Sequence, residues 1–233
     1  MARKKIVFVI VEGPSDSEAL SGILNKLFSD NTVYVHIVHG DITTQADTNS
    51  TNIVKKVTAL VKSYATSRHL TKSHFKCVIH ILDMDGVYID DSSVKYNKDA
   101  SSPIYSENSI DTSNVQGILN RNHLKRDCLN VISAKACIWN DLPYQAYFMS
   151  CNLDHVLYNR LNLSDEEKEL LAFNFAKQYK DDLDLFRNYI FDSSFSLHRM
   201  SYRESWEYIK KNDNSLKRYT NFGICMLDDN KES

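Results

Sequence analysis

No stretch of eighteen apolar residues occurs anywhere in the 233-residue chain. A membrane-spanning helix needs that length of hydrocarbon, so no membrane partner is expected. Nor is there a C-x-x-C pair among Cys77, Cys128, Cys137, Cys151 and Cys225. Thiols that are odd in number and have no close pairing suggest neither a disulfide framework nor a zinc ribbon, and they read as buried free cysteines. A P-loop is missing as well, so any nucleotide dependence has to come from another chain. Internal repeats and low-complexity tracts are absent too. Charge of one sign is scarce, with a formal net charge of −2, which neither calls for nor excludes nucleic acid and leaves room for a local basic groove. The opening Met1-Ala-Arg-Lys-Lys5 leads into a strand that stops at an acid rather than into a signal-peptide cleavage site, and the expected location is cytoplasmic.

What the chain does have is 42% hydrophobic residues, enough for a proper core, and acids at telling places. Ile6 to Val11 is an apolar, β-branched run that ends at Glu12-Gly13, the pattern of a strand buried on both faces that stops at a turn. Cys77 to Leu82 repeats the pattern, with Asp83 and Asp85 at its exit. In open parallel sheets the carboxyl ends of strands form the crevice where chemistry is placed. Glu12, Asp83, Asp85 and, four residues after the glutamate, Asp16 are therefore expected to meet at one sheet edge. Clustered carboxylates repel one another unless a cation sits between them, which points to a divalent metal. Oxygen-only ligands favour Mg²⁺ or Mn²⁺ over zinc.

In chain order, Ser17 to Phe28 carries Leu20, Ile23, Leu24 and Leu27 at helical spacing, with Ser15 or Asp16 suited to cap it. Thr32 to Val38 reads as the second strand, Gly40 to Asn52 as a polar loop, and Ile53, Val57, Leu60, Val61 and Tyr64 as a second amphipathic helix. Such βαβαβ alternation implies an α/β fold with a parallel sheet and right-handed crossovers. Residues 86–114 form a long polar loop that starts at the acidic pair and reads as a lid or substrate loop. A short helix is expected over Val115 to Lys125 and a fourth strand over Leu129 to Ile132. Beyond Pro143 the pattern turns helical, over Tyr144 to Leu161, Asp165 to Tyr179 behind a Ser164-Asp165-Glu166-Glu167 capping box, Leu183 to Phe191, and Tyr202 to Lys211. The expected division is an α/β domain over 1–142 and a helical part over 143–233 packed on it.

Glu12-Gly13-Pro14-Ser15-Asp16 after the first strand, with Asp83-Met84-Asp85 after a later one, resembles the TOPRIM domain over residues 5 to 140. That domain is shared by topoisomerases, bacterial primases, small ribosomal-RNA maturases and the nucleases of the overcoming-lysogenization-defect (OLD) group. The resemblance implies a TOPRIM-like, Rossmann-like sheet flanked by helices. Glu12 matches the family's glutamate, Asp83 and Asp85 its metal-binding aspartates, and Asp16 the acid that in OLD-type nucleases also contacts metal. Residues that usually continue the Asp-x-Asp motif in primases and maturases are lacking, and the stand-alone nuclease-like branch looks nearest. That branch is often encoded near an ATPase and is associated with phage defence. The resemblance thus implies a Mg²⁺- or Mn²⁺-dependent nuclease acting on DNA or RNA, with Glu12, Asp83 and Asp85 catalytic and an ATPase as partner protein.

Two other readings stay open. Asp83-Met-Asp-Gly-Val-Tyr-Ile-Asp90 also resembles the opening motif of haloacid-dehalogenase-type phosphatases, with Asp83 as nucleophile and Ser133, Lys135 and Asp228-Asp229 as later partners. There the motif normally follows the first strand, whereas two βα units precede it here, and Glu12 and Asp16 would have no role. The third reading is a non-catalytic TOPRIM-like subunit that binds a partner. Arg121, Lys125 and Arg126, together with Lys135, are candidates for gripping a nucleic-acid backbone or for keeping a helix soluble. His36, His39, His80 and His155 are isolated and read as packing residues.

Overall fold

β-branched runs and stripes of period 3.6 alternate along the chain, and they fold as a βα series whose strands lie side by side. The computed structural model describes residues 4–38 and 41–228; of the residues singled out above, Met1 to Arg3, His39, Gly40 and Asp229 lie outside them. The first elements are β1 (Ile6–Val11), α1 (Pro14–Leu27), β2 (Thr32–Ile37), α2 (Ile53–Ser67) and β3 (Phe75–Asp83). A small sheet follows, made of β4 (Val94–Tyr96), β5 (Ile104–Tyr105) and β6 (Ile110–Thr112), and then α3 (Val115–Ile132). Next come β7 (Cys137–Ile138), β8 (Leu142–Ser150), α4 (Leu153–Tyr158), α5 (Asp165–Tyr179), α6 (Leu183–Phe191), α7 (Tyr202–Ile209), β9 (Tyr219–Thr220) and α8 (Phe222–Asp228).

The main sheet has the order β2-β1-β3-β8-β7, with β9 also on β8. Strands β2, β1, β3 and β8 are parallel, while β7 and β9 run antiparallel to β8, so the sheet is mixed rather than purely parallel. Alternation along β1 sends Val7, Val9 and Val11 to a core shared with α1, α5 and α6, and Phe8 and Ile10 to one shared with α2, α3 and α7. Helices therefore cover both faces, as a central parallel sheet requires. No helix among the described residues is long and apolar enough to cross a membrane.

Several expectations change. Leu129 to Ile132 is the last turn of α3 rather than a strand, because Ile118, Asn122, Lys125, Cys128, Leu129 and Ile132 form one buried helical stripe. The fourth parallel strand is β8, within the segment expected to be helical; Tyr144, Tyr147 and Phe148 suit a strand, and it pairs with β3 from Val78↔Tyr144 to Asp83↔Met149. The division at 142/143 thus falls inside a strand next to β3, and the later helices pack on the same sheet. The polar segment 86–114 holds its own three-stranded sheet, β4-β6-β5. None of the five cysteines is in a disulfide, but only Cys128, Cys151 and Cys225 are buried; Cys77 is half-buried and Cys137 exposed. His80 and His155 are buried packing residues, His80 Nδ1 meeting the Tyr144 hydroxyl at 2.9 Å and His155 Nδ1 accepting the Cys151 N–H at 3.1 Å.

Candidate metal centre

Because β2, β1 and β3 are adjacent and parallel, their carboxyl ends reach the same edge of the sheet, with β1 in the middle. Glu12 leaves β1 there. Its Oε1 accepts the Asp83 N–H of β3 at 3.1 Å, a bond that ties the two strand exits together. The chain leaving β2 delivers Asp41, whose Oδ1 accepts from the Thr43 N–H at 2.7 Å and the Thr43 hydroxyl at 2.5 Å. β3 ends at Asp83, and two residues later Asp85 turns back toward the edge.

That turn uses backbone conformations that side chains avoid. Asp85 sits at φ +48° and Gly86 at φ +67°, a region that short polar residues tolerate and glycine favours. The Asp85 N–H donates to the Cys151 carbonyl at 2.8 Å, and the Asp85 carbonyl accepts from Arg121 Nη2 at 3.0 Å. A Cβ on Gly86 would stand 2.5 Å from Leu216 Cδ2. Gly86→Ala is therefore expected to lower stability by about 1–3 kcal/mol, read as a shift of the urea midpoint; an unchanged midpoint would contradict the close packing of Leu216 over the turn.

The result is a set of carboxylate oxygens from Glu12, Asp41 and Asp85 that all lie within 4.8 Å of one another. Such a triad could hold a metal ion. Their side chains keep 14%, 11% and 22% of their exposure, so the cluster is largely buried with a small share of its surface left to solvent. One side is closed by Lys125 of α3, at 0% exposure. Its Nζ lies 2.7 Å from Asp85 Oδ2, 3.8 Å from Glu12 Oε1, and 2.6 Å from Asp41 Oδ2, this last an ion pair at an angle poor for a hydrogen bond.

Burial and charge set the protonation of these groups. Desolvation opposes the Lys125 charge, but Asp41, Asp85 and Glu12 outweigh it and hold the ammonium well above the usual lysine range. Desolvation also acts on Asp41, where Lys125 and the Thr43 donors prevail and keep its carboxyl below the usual range. Glu12 goes the other way: desolvation, with Asp41 and Asp85 adding to it, pushes its carboxyl well up in spite of Lys125. Asp83 is likewise raised, by desolvation first and then by Glu12, Asp16 and Asp85.

The residues expected at the edge divide by position. Glu12 and Asp85 come together. Asp83 stands beside them but turns its Oδ1 to the Leu153 N–H at 2.8 Å, at the start of α4. Asp16 is neither in the triad nor an N-cap: it sits in the first turn of α1 and its Oδ2 accepts from the Gly13 N–H at 2.9 Å. Desolvation, with Asp154 adding to it, lifts the Asp16 carboxyl to about 6.

The basic candidates are committed internally. Arg121 also donates to Asn122 Oδ1 and to the Tyr105 hydroxyl at 2.7 Å, which ties the small sheet to the Asp85 turn. Arg126 donates to the carbonyls of Val87 and Ile89, and Lys125 is spent on the acids. Lys135 is exposed, yet it lies at the far edge. The neighbouring Ala136 carbonyl receives the Tyr144 N–H, and Tyr144 pairs with Val78 whereas Met149 pairs with Asp83. Five residues of strand separate those levels, roughly 16 Å.

Sequence reasoning missed Asp41. The rule that identified Glu12 and Asp83, an acid following a parallel strand, applies to it as well, but three residues intervene between Ile37 and Asp41, and the segment read as plain loop. No family model, curated protein or solved structure matches the chain.

Proposed function

We propose that the chain is a metal-dependent nuclease that hydrolyses phosphodiester bonds of DNA or RNA, using Mg²⁺ or Mn²⁺ held by Glu12, Asp41 and Asp85. One observation carries the reading: acids from the exits of three neighbouring parallel strands bring oxygens within 4.8 Å of one another at one edge of the sheet. All-oxygen donors suit a hard divalent ion. Such an ion would supply the charge neutralisation that the attacking and leaving oxygens of a phosphodiester need.

The chain's own residues have separable tasks in this reading. Thr43 fixes the rotamer of Asp41, and Arg121 fixes the turn that aims Asp85. Asp83, outside the triad, supports it from beside Glu12: its N–H donates to Glu12 Oε1 and its Oδ1 holds the Leu153 N–H. The phosphatase reading loses support because Ser133 and Lys135 sit at the opposite edge from Asp83. An ATPase partner, which the family resemblance implies, would act in trans, and a phage-defence role would come with it.

The test uses supercoiled plasmid and single-stranded RNA with Mg²⁺ or Mn²⁺, beside a small phosphomonoester. Nucleic-acid cleavage that needs the divalent ion and stops with chelator is the expected result. Phosphomonoester turnover without nucleic-acid cleavage would overturn the reading. Mn²⁺ binding with no cleavage of any substrate would make the chain a non-catalytic, metal-holding subunit.

A further inference from the structure

Position 125 lies on the core-facing stripe of α3, between Asn122 and Cys128, where a helix packed on a sheet ordinarily places an apolar side chain. A fully buried ammonium persists there only because it is paired, and its partners are the same three acids whose oxygens converge. A divalent ion bonds carboxylate oxygens at about 2.1 Å. An ammonium 2.6 Å from Asp41 Oδ2 and hydrogen-bonded to Asp85 Oδ2 at 2.7 Å stands in much of the space an ion between those oxygens would need.

We infer that Lys125 is the resident counter-ion of the triad and that a divalent ion enters by pushing its ammonium off Asp41 and Asp85. The lysine keeps the acids together in the metal-free protein and sets a threshold that the ion has to exceed. This inference rests on the metal reading of the site and adds a built-in competitor to it.

Mn²⁺ titration by calorimetry of wild type and Lys125→Met, a neutral side chain of similar length, separates the two ideas. The variant is expected to bind Mn²⁺ about tenfold or more tightly than wild type, the size that couplings between close charges reach. Its metal-free form is expected to melt lower and to recover on adding Mn²⁺. Binding by the variant alone also supports the inference. Equal or weaker binding by the variant overturns it and leaves the metal reading standing, whereas no binding by either protein removes the metal reading and the inference with it. Should the variant not fold, amine labelling of wild type followed by mass spectrometry decides. Lys125 is expected to be protected in chelator and modified in excess Mn²⁺, and continued protection at saturating Mn²⁺ overturns the inference.

Discussion

Glu12→Ala, Asp41→Ala and Asp85→Ala should each reduce metal-dependent cleavage by at least about a thousandfold, and a double substitution should be little worse than a single one, because residues that act as a unit are grossly non-additive. The three carboxylates come from different strand exits yet share one cluster, so removing any of them leaves the same incomplete set. Asp83→Asn is a useful contrast. It keeps an oxygen for the Leu153 N–H and removes only the ionisable group beside the triad. A smaller loss is expected, about 10–100-fold, the range typical of residues that support ligands rather than act as them. The assay is initial cleavage rate at saturating Mn²⁺, with circular dichroism confirming that each variant is folded. If Asp41→Ala cleaved as well as wild type while Asp83→Asn were dead, the centre would have to be rebuilt around Asp83.

Metal should stabilise the protein more at high pH than at low pH. Burial raises the carboxyls of Glu12 and Asp83 well above their usual values and brings Asp16 to about 6. A group with a raised folded-state pKa contributes stability that is fully present below its unfolded pKa and is lost as pH rises through the folded value. For Asp16 that window runs from the ordinary aspartate range up to about 6, and Glu12 and Asp83, also raised, carry the same sign. Asp41, with a lowered carboxyl, has the opposite sign: its contribution is present above its unfolded pKa and fades as pH falls through the folded one. Without metal, alkaline conditions therefore leave repelling buried carboxylates. An ion at the triad relieves that repulsion, whereas in acid it has to displace protons first.

At free Mn²⁺ about a hundred times its dissociation constant, stabilisation should reach about 2.7 kcal/mol. For a chain of this size that corresponds to roughly 5–10 °C in Tm. The gain should be larger at about pH 8 than at about pH 5, because raised carboxyls have to release more protons to the ion as pH falls. Differential scanning fluorimetry across that range checks it. A Mn²⁺ shift that is the same at both ends would mean that the raised carboxyls are not linked to metal binding.

Much of the frame was legible because burial on both faces and helical stripes leave simple periods. β1, β2 and β3 fall on their β-branched runs, and α5 starts where the Ser164 to Glu167 capping box says it should. The edge that gathers acids followed from acids placed at the carboxyl ends of strands expected to run parallel. What failed did so for physical reasons. Leu129 to Ile132 is a four-residue apolar run, too short to tell a strand from the buried stripe of a helix, and Ile118, Asn122 and Lys125 extend the stripe. β8 carries mixed aromatic and polar residues that also suit a helix, and only its seat between β3 and the antiparallel β7 and β9 makes it a strand.

The internal cation was hidden in plain composition. Lys125 sits beside Arg121 and Arg126 and reads as part of a solvated basic face, yet the spacing of Ile118, Asn122, Lys125 and Leu129 puts it on the buried one. An isolated lysine at a core position on a helix facing strand-end acids was the available signal. Clustered carboxylates call for a cation, and the chain supplies an ammonium of its own.

Crystals grown with Mn²⁺ and measured where manganese scatters anomalously give the most direct test of the centre. The expected result is anomalous density at bonding distance, about 2.1 Å, from oxygens of Glu12, Asp41 and Asp85, with Lys125 Nζ withdrawn from Asp41 and Asp85. No density at the triad under saturating Mn²⁺, with the Lys125 ammonium still between those two aspartates, would contradict it.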